Sequence, residues 1–127
     1  MRKCILVVDD NPTDRLLVST ALSRISSDFE IVELTDGKEL VNYFNSSKTT
    51  PDLVILDIKM QRMGGHEALE ILQGHPKMEH TKIFVTSDSD DSSDVDNSWR
   101  LGAHYYAGKS LHFTTLVKTL QDAIGTL

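Results

Sequence analysis

The chain has 127 residues, room for one domain with a real core but not for a second folded unit beside it. Hydrophobic residues at 39% and charged residues at 25% argue against global disorder, and a formal net charge of −6 argues against direct binding to nucleic acid or to an anionic membrane. The single cysteine, Cys4, precludes an internal disulfide framework and, beside an apolar run, reads as a small core residue. The basic start Met1-Arg2-Lys3 leads into an apolar segment that meets Asp9 too soon for a signal core or a membrane span, so a cytoplasmic location is expected.

Apolar bursts suited to strands recur at residues 4–8, 29–34, 53–56, 82–86 and 104–107, each followed by a stretch of helical spacing. Asn11-Pro12 is suited to cap and open the first helix, with Asp14 in its first turn. Leu17, Ala21, Leu22 and Ile25 should line that helix's inward face, and it should end near Ser26-Ser27. Asp36-Gly37 closes the second strand, after which Leu40, Val41, Tyr43 and Phe44 supply another amphipathic face. Gly64-Gly65 implies a flexible loop after Asp57, and Ala68, Leu69, Ile71 and Leu72 mark a third helix that stops around Gly74-His75-Pro76.

The acidic stretch from Ser87 to Asp96 fails as a calcium loop: counted from Asp88, Ser93 stands at the glycine position and Trp99 at the closing glutamate. It reads instead as a mobile loop whose acids cap the fourth helix, which carries Trp99. The last helix should span roughly 112–124, with Phe113, Leu116, Val117, Leu120 and Ile124 inward. No linker divides residues 1–127, so a single domain is expected. Five short βα units imply right-handed crossovers and a parallel, doubly wound α/β sheet with helices on both faces.

In such sheets ligands bind beyond the carboxyl ends of the strands. Asp57 ends the run Leu53-Val54-Ile55-Leu56, and Asp9-Asp10 ends Ile5-Leu6-Val7-Val8. If these acids converge they repel, and a divalent cation is the simplest remedy. Ile83-Phe84-Val85 runs into Thr86-Ser87, and Tyr105-Tyr106-Ala107-Gly108 into Lys109. The set amounts to an acid pair for a metal, a nucleophilic carboxylate, a hydroxyl and an ammonium. Histidines 66, 75, 80, 104 and 112 show no metal-ligand spacing.

Val7-Val8-Asp9-Asp10-Asn11, Asp52 through Asp57, Val85-Thr86-Ser87 and Gly102-Ala103 through Lys109 resemble, over essentially the whole chain, the receiver domain of two-component response regulators. The resemblance implies a five-stranded, flavodoxin-like sheet of order 2-1-3-4-5 and a phosphotransfer switch. It implies that Asp57 takes a phosphoryl group from a phosphohistidine and that Asp9, Asp10, Asp57 and the backbone carbonyl of Lys59 hold Mg²⁺. Lys109 and Thr86 would each meet a phosphoryl oxygen, and Tyr106 would turn inward as Thr86 is drawn toward the phosphate, changing the face of helix four, strand five and helix five. The partners implied are a histidine kinase or phosphotransfer protein and a separate protein target, not nucleic acid or membrane, with the chain a monomer or a phosphorylation-dependent dimer. It would catalyse its own phosphorylation and dephosphorylation and otherwise be no enzyme.

Three positions depart from the family pattern. Ser110 follows Lys109 where proline is usual, Gln61 stands where proline is common, and Gly64 precedes Gly65 where an acid often does. These changes keep open a phosphorylation-independent binding module of the same fold. Lys59 and Asp88 flank the expected entry to the site and are placed to pair across it against attacking water. A phosphatase with an aspartyl intermediate fits poorly, because that class wants its nucleophile after the first strand and a second acid two residues later, where this chain has Lys59.

Overall fold

The computed structural model describes residues 2–89 and 91–127. In chain order the elements are β1 (Cys4–Val8), α1 (Pro12–Ile25), β2 (Glu30–Leu34), α2 (Gly37–Ser46), β3 (Leu53–Asp57), α3 (Gly65–Ile71), a 3-10 turn (Pro76–His80), β4 (Lys82–Ser87), α4 (Ser92–Arg100), β5 (Tyr105–Gly108) and α5 (Phe113–Ile124). All strand pairings are parallel, in the order β2-β1-β3-β4-β5. The expected five-stranded flavodoxin-like topology is therefore the observed one.

Period-2 alternation builds two cores from one sheet. Leu6, Val54, Leu56, Ile83 and Val85 face α2 and α3, meeting Leu40, Phe44, Ala68 and Leu69. Ile5, Val7, Ile55 and Phe84 face α1 and α5, meeting Val18, Leu22, Leu116 and Leu120. Because β1, β3 and most of β4 are buried on both faces, their sequences read as unbroken apolar runs. Cys4 is buried, as expected of a core residue.

Two helix residues depart from the expected stripes. On α1 the buried row is Val18, Ala21 and Leu22, and Leu17 lies at its margin, 41% exposed. On α3 the row is Gly65, Ala68 and Leu69, with Leu72 as its cap, which leaves Ile71 pointing away and half exposed. The start of α1 follows the expected chemistry, the Asn11 side chain accepting the amides of Thr13 and Asp14; Asp36, expected only as the close of β2, also accepts the amide of Glu39 and so caps α2. Asp91 accepts the Ser93 amide at the start of α4, so the acidic stretch does cap that helix; Asp90 within it lies outside the described residues.

Candidate functional site

Strands β1 and β3 are neighbours, with Val8 level with Leu56, so Asp9 and Asp57 emerge side by side where the strand order reverses. Both carboxylates are almost fully buried, 4% exposed each, while Asp10 is exposed. One oxygen from each of Asp9, Asp10 and Asp57 lies within 4.8 Å of the others. Backbone amides hold two of them: Asn11 donates to Asp9 at 2.9 Å, and Gln61 donates to Asp10 at 3.2 Å. The second bond exists because Gln61, unlike the proline common there, keeps its N–H.

Crowding acids in a buried place raises the energy of their charged forms. Burial, and then the charge of Asp9, push the Asp57 carboxyl up to about 6, while the Lys109 ammonium and the Lys59 backbone amide pull it back. Three anionic oxygen donors at this spacing suit a small hard dication, which would relieve the repulsion that the protein leaves in place.

Lys109 stands just beyond β5, its amide donating to the Ser87 carbonyl at 2.9 Å. Its Nζ lies 2.8 Å from Asp14, 2.9 Å from Asp9 and 3.4 Å from Asp57. Burial alone would depress the ammonium, but its bonds to Asp14 and Asp9 and the charges of Asp57 and Asp9 outweigh that and raise it above the ordinary lysine value. Ser110 does not prevent this reach, and no cis peptide bond occurs among the described residues. Thr86 is level with Asp57 across β3 and β4 and is buried, so all five strand-end residues meet at one edge of the sheet. Asp14 is the member that sequence reasoning missed. It read as a first-turn helix acid, and nothing local ties it to a lysine 95 positions away.

The loop after Asp57 is packed rather than slack. A Cβ on Gly65 would lie 2.3 Å from the Asp57 carbonyl oxygen, and one on Gly64 would lie 2.7 Å from that of Ile58. These glycines thus answer a need for close backbone approach. The Met63 carbonyl accepts the Gly37 amide at 2.8 Å, and Arg62, in the left-handed region at φ 65, donates Nε to the buried Asp36 at 2.6 Å. The loop that begins at Ile58 is thereby tied to the start of α2.

Among the described residues the carboxylate that Lys59 meets is Asp94, at 3.8 Å, rather than the expected Asp88. Asp94 sits in the first turn of α4, where Ser89 Oγ also donates to it, whereas the Asp88 side chain is exposed. Tyr106 is half-buried against the α2/α3 core and donates its hydroxyl to the Ser89 carbonyl at 2.8 Å, while Tyr105 packs on the opposite face and stacks on Phe84. Trp99 on α4 is 46% exposed. His66 bonds Ser98, and His104 accepts the Ile83 amide. Among the described residues, the group spaced to hold a metal is the three aspartates alone.

A family model described as the response regulator receiver domain matches residues 5–121. Response regulator Rcp1 of Synechocystis sp. is 29% identical over 126 residues, which covers 94% of this chain and 84% of that protein. A structure of the phosphorylated cyanobacterial phytochrome response regulator RcpA matches with a TM-score of 0.85 at 26% identity, covering 97% of this chain and 91% of that one. The Mn²⁺-bound form of Rcp1 matches with a TM-score of 0.81 at 28% identity, covering 94% and 90% of the two chains.

Proposed function

The chain belongs to the response regulator receiver domains, and from that premise we propose that it is a phosphoacceptor switch in a two-component phosphorelay. The observation that carries the reading is the edge-of-sheet cluster: three carboxylates within 4.8 Å, with a lysine ammonium 3.4 Å from the central one. An Asp57 oxygen attacks the phosphorus of a phosphohistidine. The new O–P bond forms as the N–P bond breaks, and the imidazole leaves with the electron pair and takes up a proton.

Asp9, Asp10, Asp57 and the backbone carbonyl of Lys59 would hold Mg²⁺, which when bound supplies positive charge against the carboxylates and the phosphoryl oxygens. Lys109 turns its ammonium from Asp57 to one phosphoryl oxygen, and Thr86 donates its hydroxyl to another. Tyr106, under the loop at Ser89, then reports the new position of Thr86 to the face made by α4, β5 and α5. The donor is a histidine kinase or a histidine phosphotransfer protein, and the output is a protein target that reads this face. The meeting with the donor belongs, on this reading, in the cytoplasm; no helix among the described residues is long and apolar enough to cross a membrane. On this reading the protein catalyses its own phosphorylation and dephosphorylation and turns over no metabolite.

A phosphorylation-independent binding module would tolerate a lysine turned out of the site. Here Lys109 reaches Asp57 and Asp9 in spite of Ser110, which favours the switch. Incubation with Mg²⁺ and acetyl phosphate, followed by intact-mass measurement, decides between them. Uptake of one phosphoryl group that disappears in Asp57→Asn supports the switch; no uptake overturns it.

A further inference from the structure

The Lys109 ammonium lies within 3.4 Å of three carboxylates, and two of these have other work in the proposed reaction. Asp57 becomes an acyl phosphate. Asp9 belongs to the group spaced to share a cation, and Asp14 does not. Yet Asp14 makes the shortest of the three contacts, 2.8 Å, and does so from the first turn of α1. The stem of Lys109 gives its charged end little direction of its own. With Leu17, Val18 and Leu116 it lines a small cavity of about 30 Å³, and Asp14 stands in the same wall.

We propose that Asp14 is a positioning residue for phosphoryl transfer: it keeps the Lys109 ammonium at the mouth of the acid site, with donors free for the phosphoryl oxygens, once Asp9 and Asp57 no longer share it. The assignment rests on the phosphoacceptor reading. A competing role exists, because an acid in the first turn of a helix stabilises that helix by charge alone. The competing role does not need Lys109, and the two are therefore separable.

The test uses the full chain in four forms: unchanged, Asp14→Asn, Lys109→Met and the double variant. Phosphorylation by acetyl phosphate in Mg²⁺ is followed by intact mass over a range of donor concentrations. Asp14→Asn should lower the maximal rate roughly tenfold, the scale on which supporting groups act, while the half-saturating donor concentration stays nearly constant. Asp14→Glu, which restores the charge, should recover most of the loss. In the Lys109→Met background Asp14→Asn should cost nothing further.

Titration of the same four proteins with beryllium trifluoride and Mg²⁺ should repeat that pattern in affinity, and it remains readable if Lys109→Met is too slow to follow. An equal loss with and without Lys109, or no loss with Lys109 present, overturns the assignment while leaving the phosphoacceptor reading intact. An unchanged protein that takes up no phosphoryl group overturns both.

Discussion

Asp52 and Asp57 bracket the same strand, and only one of them is left in conflict with its neighbours. At the start of β3, Asp52 accepts the Cys4 amide at 2.8 Å on its side chain, donates its own amide to the Cys4 carbonyl at 2.8 Å, and offers its carbonyl to the Lys82 amide at 3.0 Å. It stitches three strands together at one edge of the sheet. Thr81 at the same edge is closed in a like manner, its hydroxyl donating to the Pro51 carbonyl at 2.7 Å. At the other end Asp57 faces Asp9, and the single ammonium near both is divided among three acids. An acid at a strand end is thus not reactive by position. It is structural where its lone pairs are filled by the fold, and it waits for a ligand where the fold sets another acid against it.

Exchanging each acid for its amide breaks the comparison most directly. Asp57→Asn should abolish phosphoryl uptake by at least about a thousandfold, as loss of a nucleophile does, whereas Asp52→Asn should stay within about threefold of the unchanged protein. Time courses by intact mass distinguish the two, and equal losses would mean that the strand, not the acid, sets the rate.

Stability should move the opposite way. With the Asp57 carboxyl near 6 in the folded chain against an ordinary value of 3.8, the fold prefers the protonated form. Its contribution is fully present below about 4 and is lost as pH rises through about 6. Asp57→Asn should therefore stabilise the cation-free protein at pH 7 by about 3 kcal/mol in urea unfolding, and the gain should vanish near pH 4. Mg²⁺ should stabilise the unchanged protein and leave the Asn variant nearly indifferent. Asp52→Ala, which strands the Cys4 amide, should instead destabilise by about 1–3 kcal/mol. If Asp57→Asn also destabilised, the cluster would not be the strained end of the strand.

Gly65→Ala tests the support of that end. The added methyl meets the Asp57 carbonyl oxygen at 2.3 Å, so the loop or the strand must move. A loss of about 2 kcal/mol is expected by urea unfolding, together with slower uptake. An unchanged stability would show that the loop yields more easily than its hydrogen bonds suggest.

Much of this was legible in the chain because the physics is local. Asp9, Asp57, Thr86 and Lys109 each stand at or just beyond the end of a strand recognisable from the sequence, and parallel pairing brings such ends together. Asn11-Pro12 announces α1, since a cap is written within a few residues of the helix it starts, whereas Asp36 reads in the chain only as the close of the second strand although it also caps α2. What escaped depends on distant partners. Asp14 looked like a helix-start acid, the Arg62–Asp36 tie joins loops 26 residues apart, and the glycines at 64 and 65 looked like slack because the carbonyls they must approach are not adjacent to them in sequence. Leu17 and Ile71 were misplaced because a periodic pattern finds a stripe but not its edges.

The smallest effect belongs to Lys59, which sharpens the contrast between buried and exposed charge at the reactive end of β3. Its side chain is 72% exposed and its ammonium 3.8 Å from Asp94, a pair of the kind worth about 0–1 kcal/mol. Asp57 owes its condition to burial and to Asp9, which salt barely reaches, whereas a rim pair is screened by it. Lys59→Ala should accordingly shorten the life of the phosphorylated form by no more than about threefold at low salt, the rate equivalent of such a pair, and by nothing measurable at high salt. Decay of the phosphorylated mass at two ionic strengths reads this out. A tenfold shortening that survives high salt would place Lys59 among the groups that guard the phosphoryl site, and the division between a reactive interior and a nearly neutral rim would have to be redrawn.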